Sequence, residues 1–230
     1  MIIAGLDVST VSTGCVKFYL DSAFNIVDVK KLGFCHVSNS SSATYEDIIM
    51  YKDFSSFYHR QDFMLNYIMD FLNDVEYVAL EDYAFGAKGK ITMLAEICGN
   101  IKSRLFSKNV SLRLYDPTSI KIFATGKGNA KKPDMNDSYD NLTYKINLNY
   151  LPIIPTHKKG KNKGLRNKDG ISPLSDIIDA FFICDLLRYE LGVKNKVFDL
   201  ASLNGNCSRI LNRTTKTTKT CWINQTFICL

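Results

Sequence analysis

No stretch of the 230-residue sequence is both long and apolar enough to cross a bilayer. The longest apolar run, residues 176–187, is broken by Asp176, Asp179 and Asp185 and falls far short of the ~20 residues a span needs. A basic leader is missing too: Met1 opens directly into an apolar run, so no signal peptide is expected. The seven cysteines form no CxxC pair, and most sit in apolar stretches, as reduced, buried thiols do. An intracellular, reducing compartment is therefore expected, cytoplasm or nucleoid. His36, His59 and His157 are scattered, so zinc finds no ligand cluster. There is no GxxxxGK[ST] phosphate loop and no internal repeat.

What is present is ordinary globular material, 46% hydrophobic and 23% charged, enough for one domain with a real core. The net charge of +6 is unevenly spread. Residues 141–168 carry seven basic residues and no acid, and residues 201–230 carry four basic residues and no acid. The other 172 residues sum to −5. An acidic body with two basic appendages points to a polyanionic partner held away from the acids.

Short apolar runs at 1–8 and 14–20 and a looser alternation at 27–37 predict three antiparallel strands joined by hairpins. A Ser-rich break follows at 38–42. Helical spacing recurs from about Phe57 to Asn73 and again from Ile91 to Leu105. Residues 75–80 and 110–115 read as buried parallel strands, the first ending on Glu81. The expectation is an α/β fold with a mixed five-stranded sheet, three antiparallel strands then parallel ones, flanked by helices. Prolines and glycines make most of 141–168 a loop. Ser172-Pro173 opens a last strong helix, with Ser172 as N-cap and Gly192 as its stop. The expected domain spans 1–192 with a basic insertion at about 141–170. Residues 193–230 read as a basic, Asn/Thr-rich tail.

Four carboxylates keep unusual company. Asp7 and Glu81 each end an apolar strand, and Asp176 and Asp179 lie one turn apart on a helix otherwise apolar on nearly every side. A strand-end Asp can also be a turn former, and Asp176 in a first turn favours the helix dipole without any function. Asp179 sits deeper and is harder to explain that way. An unpaired buried carboxylate costs several kcal/mol, so such acids need cations, hydrogen bonds or protons. Converging carboxylate oxygens are donors for Mg²⁺ or Mn²⁺. Between these acids lies a Gly/Lys segment, residues 116–132. Gly126 and Gly128 there permit a tight turn or a close phosphate, and Lys121, Lys127, Lys131 and Lys132 surround it with positive charge.

Taken in order, the segments Gly5-Leu6-Asp7-Val8-Ser9-Thr10, Thr13-Gly14 and Val78-Ala79-Leu80-Glu81 resemble the RuvC family of Holliday-junction resolvases, in the RNase H-like superfamily. So do Pro117-Thr118-Ser119-Ile120-Lys121, residues 125–132 and Asp176-Ile177-Ile178-Asp179-Ala180. The resemblance covers residues 1 to about 190. It implies that Asp7, Glu81, Asp176 and Asp179 are catalytic carboxylates binding two Mg²⁺ ions, with Mn²⁺ as substitute. Lys132 and Lys121 match the family's catalytically supportive and DNA-contacting lysines. Tyr83 and Phe85 flank the position of an aromatic that touches the junction centre. Phage and other viral resolvases share the lysine-rich style, which would make the compartment that of a host cell.

The function so implied is a crossover-junction endonuclease making paired nicks in four-way DNA as a homodimer, leaving a 5′ phosphate and a 3′ hydroxyl. Lys127, Lys131, Lys158, Lys159, Lys161 and Lys163 would contact DNA, although 141–168 reads equally well as a solvated loop. The helix at 91–105 is a candidate interface, or ordinary core. Other readings stay open: a related nuclease on flaps, branched DNA or RNA–DNA hybrids, a sugar-kinase or actin-like phosphotransferase, and a non-catalytic junction-binding protein.

Overall fold

Strands β1 (Ile2–Asp7), β2 (Gly14–Leu20) and β3 (Ile26–His36) run antiparallel in chain order, as the three apolar runs predict. A computed structural model describes residues 1–36, 47–82, 91–148, 173–213 and 226–227. Beyond helix α1 (Phe57–Phe71), strand β5 (Tyr77–Glu81) lies parallel to β1. Beyond helix α2 (Ile91–Ser107), strand β6 (Ser111–Tyr115) lies parallel to β5. This is the mixed sheet expected of an RNase H-like fold.

The structure adds a sixth strand to the five expected. Residues Ile48–Tyr51 form β4, parallel to β3 at the sheet edge, in the order β4-β3-β2-β1-β5-β6. Four residues are too few for alternation to announce a strand, and a short edge is how sheets limit unwanted pairing.

Strand alternation sorts side chains onto two faces. Ala4, Leu6, Cys15, Val78 and Leu80 join the core beneath α1 and α2. Ile3, Val16, Phe18, Ala79 and Tyr115 join the opposite core, built around helix α5 (Leu174–Lys194). The helix is buried all round because the sheet covers one side and three shorter helices cover the rest. These are α3 (Pro117–Thr125), α4 (Lys132–Asp140) and α6 (Gly205–Leu211).

Three glycines bring α5 onto the sheet backbone. A Cβ on Gly5 would lie 2.4 Å from Ala180 O and Cys184 N, and one on Gly14 would lie 2.1 Å from Asp176 O. A Cβ on Gly33 would lie 3.0 Å from Pro173 Cβ and from Ile177 Cδ1. Gly33 and Gly14 are cross-strand partners, so the glycines form a bare track that α5 crosses from β3 to β1.

Two helix boundaries differ from expectation. Gly192 does not stop α5, which continues to Lys194; its missing side chain makes room for Phe198, whose ring a Cβ would meet at 2.2 Å. No side chain caps the amino end after Pro173, and Ser172 lies outside the described residues. The chain beyond 192, read as a tail, packs onto the core through Cys207, Ile210 and Leu211, all fully buried. Residues 141–148, the start of the expected insertion, also pack inward: Leu142, Tyr144, Ile146 and Leu148 face the α5 core while Lys145 is exposed.

The five described cysteines are free thiols, four of them buried. Among the described residues no helix is long and apolar enough to cross a membrane.

The glycine track carries a stability prediction. Gly14→Ala forces α5 off β2 and is expected to cost about 1–3 kcal/mol, as overpacking does. Gly99→Ala, in α2 with open space around its Cβ, should instead stabilise by about 0.5–1 kcal/mol through helix propensity. Urea unfolding of both variants against the parent decides; equal midpoints for the two would remove the track.

Candidate active site

Asp7 and Glu81 are brought together by register. Leu6 pairs with Leu80 across parallel β1 and β5, so the next residues, Asp7 and Glu81, emerge side by side at the carboxyl edge. Alternation turns both toward α5, since Gly5 and Ala79, two residues earlier, face that helix. Where α5 crosses Gly14 and Gly5 it carries Asp176 and Asp179 to the same edge.

Asp7, Glu81 and Asp179 line a cleft of about 590 Å³. The same cleft is lined by Lys121 from α3 together with Asn129, Lys131 and Lys132 from the α3–α4 connection and the start of α4. Asp116 caps α3 by accepting from Ser119 N at 2.9 Å, with Pro117 in the first turn. The two glycines of this segment serve the turn. Gly126 is the left-handed C-cap of α3 at φ 80°, and Gly128 packs on Thr118, whose Cγ2 a Cβ would meet at 2.6 Å.

Asp176 has other company. It is only 6% exposed, and its Oδ2 accepts from Ser12 Oγ at 2.6 Å. Its Oδ1 faces Ser175 Oγ at 3.4 Å, and that hydroxyl accepts from Lys132 Nζ at 3.0 Å. Lys127 is exposed on the loop after α3 and outside the cleft lining. Tyr83, Phe85, Lys158, Lys159, Lys161 and Lys163 lie outside the described residues.

Burial and mutual repulsion act together on these acids. Asp7 is held well above the usual carboxylate range by desolvation, then by Asp179, Glu81 and Asp176, with Lys132 opposing. Burial, helped by Asp179, pushes Glu81 up to about 7 against Lys121. Burial also pushes Asp179 up to about 7, Lys132 opposing and Asp176 adding to the rise. Three clustered acids that resist losing their protons form a site short of positive charge.

The donor set suits a hard divalent cation: oxygen ligands, deeply placed, each raising its neighbours' proton affinity. Among the described residues, no three His, Cys, Asp or Glu side chains converge closely enough to hold one ion. The chemistry of the set therefore fits, while the side chains stand apart, one of them tied to Ser12.

No family model matches the chain, and no curated protein does. Among solved structures it is similar to Thermus thermophilus RuvC, at 16% identity and a TM-score of 0.46 over 86% of this chain and 98% of that one. It is similar to T. thermophilus RuvC in complex with Holliday junction substrate, at 15% identity and 0.49 over 86% and 97%. It is also similar to the Fowlpox virus resolvase with substrate Holliday junction DNA, at 16% and 0.45 over 83% and 99%.

Residues that the sequence reading did not single out complete the site. Ser12 and Ser175 hold Asp176 and Lys132, and Asp116 raises Glu81 as well as capping α3. Arg213, just past α6, donates to Ser119 Oγ at 3.0 Å and lies 3.7 Å from Asp116 Oδ1. The Asp-Pro pair at 116–117 is a helix-start signature that could have revealed α3; nothing local announces Ser12 or Arg213.

A pH dependence follows for the metal-free protein. Glu81 and Asp179 ionise near 4.5 and 3.8 when unperturbed and near 7 in the fold. The folded chain therefore keeps protons that the unfolded chain loses in that interval. Their stabilising contribution is full below about pH 4 and is lost as pH rises through 7. Asp179→Asn removes this cost and is expected to raise unfolding stability at pH 8 by on the order of 2 kcal/mol, with little change at pH 4. Urea unfolding in chelator at both pH values measures it; a variant weaker than the parent at pH 8 contradicts the charge account.

Proposed function

We propose that this chain is a metal-dependent endonuclease that resolves four-way DNA junctions by paired nicks, leaving 5′-phosphate and 3′-hydroxyl ends. The observation that carries the reading is a single cleft lined by groups of both signs. Asp7, Glu81 and Asp179 share it with Lys121, Lys131 and Lys132 at the carboxyl edge of β1 and β5. Such a cleft offers oxygen ligands to a divalent cation and ammonium groups to the phosphate beside it.

Asp7, Glu81, Asp176 and Asp179 would hold two Mg²⁺ ions, for which Mn²⁺ would substitute; bound there, these lower the pKa of a water and neutralise phosphate oxygens. The chain's own groups do the rest. Lys132 and Lys121 balance the charge gathering on the scissile phosphate, a contribution of about 3–4 kcal/mol by comparison with oxyanion donors. Asp179 and Glu81, protonated near neutrality without a cation, must release protons when one enters, so activity rises with pH through about 7. The basic stretch around Lys158, Lys159, Lys161 and Lys163 would track phosphates away from the acids, making binding strongly salt-dependent. Two opposed nicks need two sites, so we place a two-fold homodimer at the junction. The exposed side of α2 that bears Phe106 is the surface we assign to it.

The deciding experiment compares cleavage of labelled synthetic four-way junction, flap and linear duplex in Mg²⁺ and in Mn²⁺. The parent should cut the junction in preference. Asp7→Asn and Asp179→Asn should lose cutting on the order of 10³-fold or more while remaining folded, and Lys132→Ala on the order of 10²-fold. Intact cutting by a folded Asp→Asn variant overturns the site. Equal cutting of linear duplex overturns the junction preference, preferred cutting of flaps makes the protein a flap nuclease, and binding without cutting in either metal makes it a junction-binding module.

A further inference from the structure

Two buried hydroxyls meet the Asp176 carboxylate, and one of them also meets Lys132. Ser12 lies in the loop between β1 and β2, five residues after Asp7, and Ser175 lies one residue before Asp176 on α5. Both serines are buried, at 7% and 3% exposure. Ser12 Oγ donates to Asp176 Oδ2 at 2.6 Å, the shortest polar contact Asp176 makes. Ser175 Oγ faces the other oxygen of the same carboxylate at 3.4 Å and accepts from Lys132 Nζ at 3.0 Å. The loop backbone that carries Ser12 is itself held. Ser12 N donates to Ser9 Oγ at 2.8 Å, Ser9 N donates to Thr13 Oγ1 at 3.3 Å, and Tyr51 OH from β4 donates to Val11 O.

We propose that Ser12 and Ser175 are positioning residues: Ser12 sets the Asp176 carboxylate for metal, and Ser175 sets Lys132 for the phosphate. The proposal rests on the nuclease reading above and deepens it. A carboxylate anchored through one oxygen presents the other in a defined direction, and partners of this kind set ligand orientation and metal affinity. Ser175 stands between the carboxylate and the ammonium, so one side chain separates the two charges and keeps Lys132 from collapsing onto Asp176 as a closed ion pair. Loop 9–13 thereby links the end of β1, which bears Asp7, to the first turn of α5.

The test uses the full chain and reads metal binding without DNA, as the rise of the thermal midpoint with Mg²⁺ and with Mn²⁺. Ser12→Ala is expected to raise the half-saturating concentration roughly 10–100-fold, and Ser12→Thr, which keeps the hydroxyl, to return it to within about threefold of the parent. Ser175→Ala should leave half-saturation unchanged and lower the cutting rate at saturating Mg²⁺ roughly tenfold with substrate KM unaltered, Ser175→Thr restoring it. Metal-free urea midpoints establish that each variant is folded. A parent that binds metal and a folded Ser12→Ala that binds it equally well overturn the Ser12 assignment alone. A parent with no metal-dependent shift overturns the metal site and the Ser12 assignment together. Unchanged cutting by Ser175→Ala overturns the lysine half, as does a rate lost in Ser175→Thr too.

Discussion

The approach of helix α5 to the sheet leaves no space for side chains between the two backbones at Gly14 and Gly5, and at Gly33 the space is taken by the side-chain atoms of Ile48, Pro173 and Ile177. Everything at the carboxyl edge depends on that contact. With ordinary side chains in place of these glycines, Asp176 and Asp179 would ride above Asp7 and Glu81 with a layer of side chains between. Laid directly on β1 and β2, the helix delivers its acids to the level of the strand ends. A substitution that lifts α5 therefore acts on the site and on the core at once.

The same helix carries buried acids of two kinds. Toward its carboxyl end Asp185 is paired with Arg188 at 2.8 Å, and Glu190 meets Arg113, Lys194 and Tyr115, with Phe227 packed against both cations. Those charges are balanced within the chain, the condition under which buried ions are tolerated. Toward the amino end Asp179 lines a cleft with Asp7 and Glu81, and the cations acting on it, Lys132 and Lys121, stand on two other helices. The helix is thus balanced in charge at one end and short of positive charge at the other, where the proposed cation would supply it.

Much of this was legible in the residues themselves. Asp7 and Glu81 stood out because each follows a run of apolar residues that can only be a buried strand. Asp179 stood out because its helix has no polar face to put it on. Helices α1 and α2 announced themselves by spacing. What stayed hidden was held by contacts distant in sequence. Strand β4 is four residues long and exists through its pairing with β3. Helix α6 has seven residues and is secured by α3 and α5, so local propensity says little about it. Gly192 carried the signature of a helix stop, and only Phe198, packed where a side chain would be, explains why the helix runs on. Ser12 lies 164 residues from the carboxylate it holds, a distance over which no local pattern speaks.

Loop 9–13 hangs between two parts of the molecule of very different enclosure. Through Ser12 it is tied to α5, whose amides, covered on every side, meet solvent only when the whole core parts. Through Val11 it is tied to Tyr51 on β4, a strand that among the described residues is paired on one side only, as strands that fray early are. Fraying at the sheet edge thus reaches the carboxylate through the loop without disturbing the helix beneath it. An edge strand and the most deeply buried helix thus hold one short loop between them.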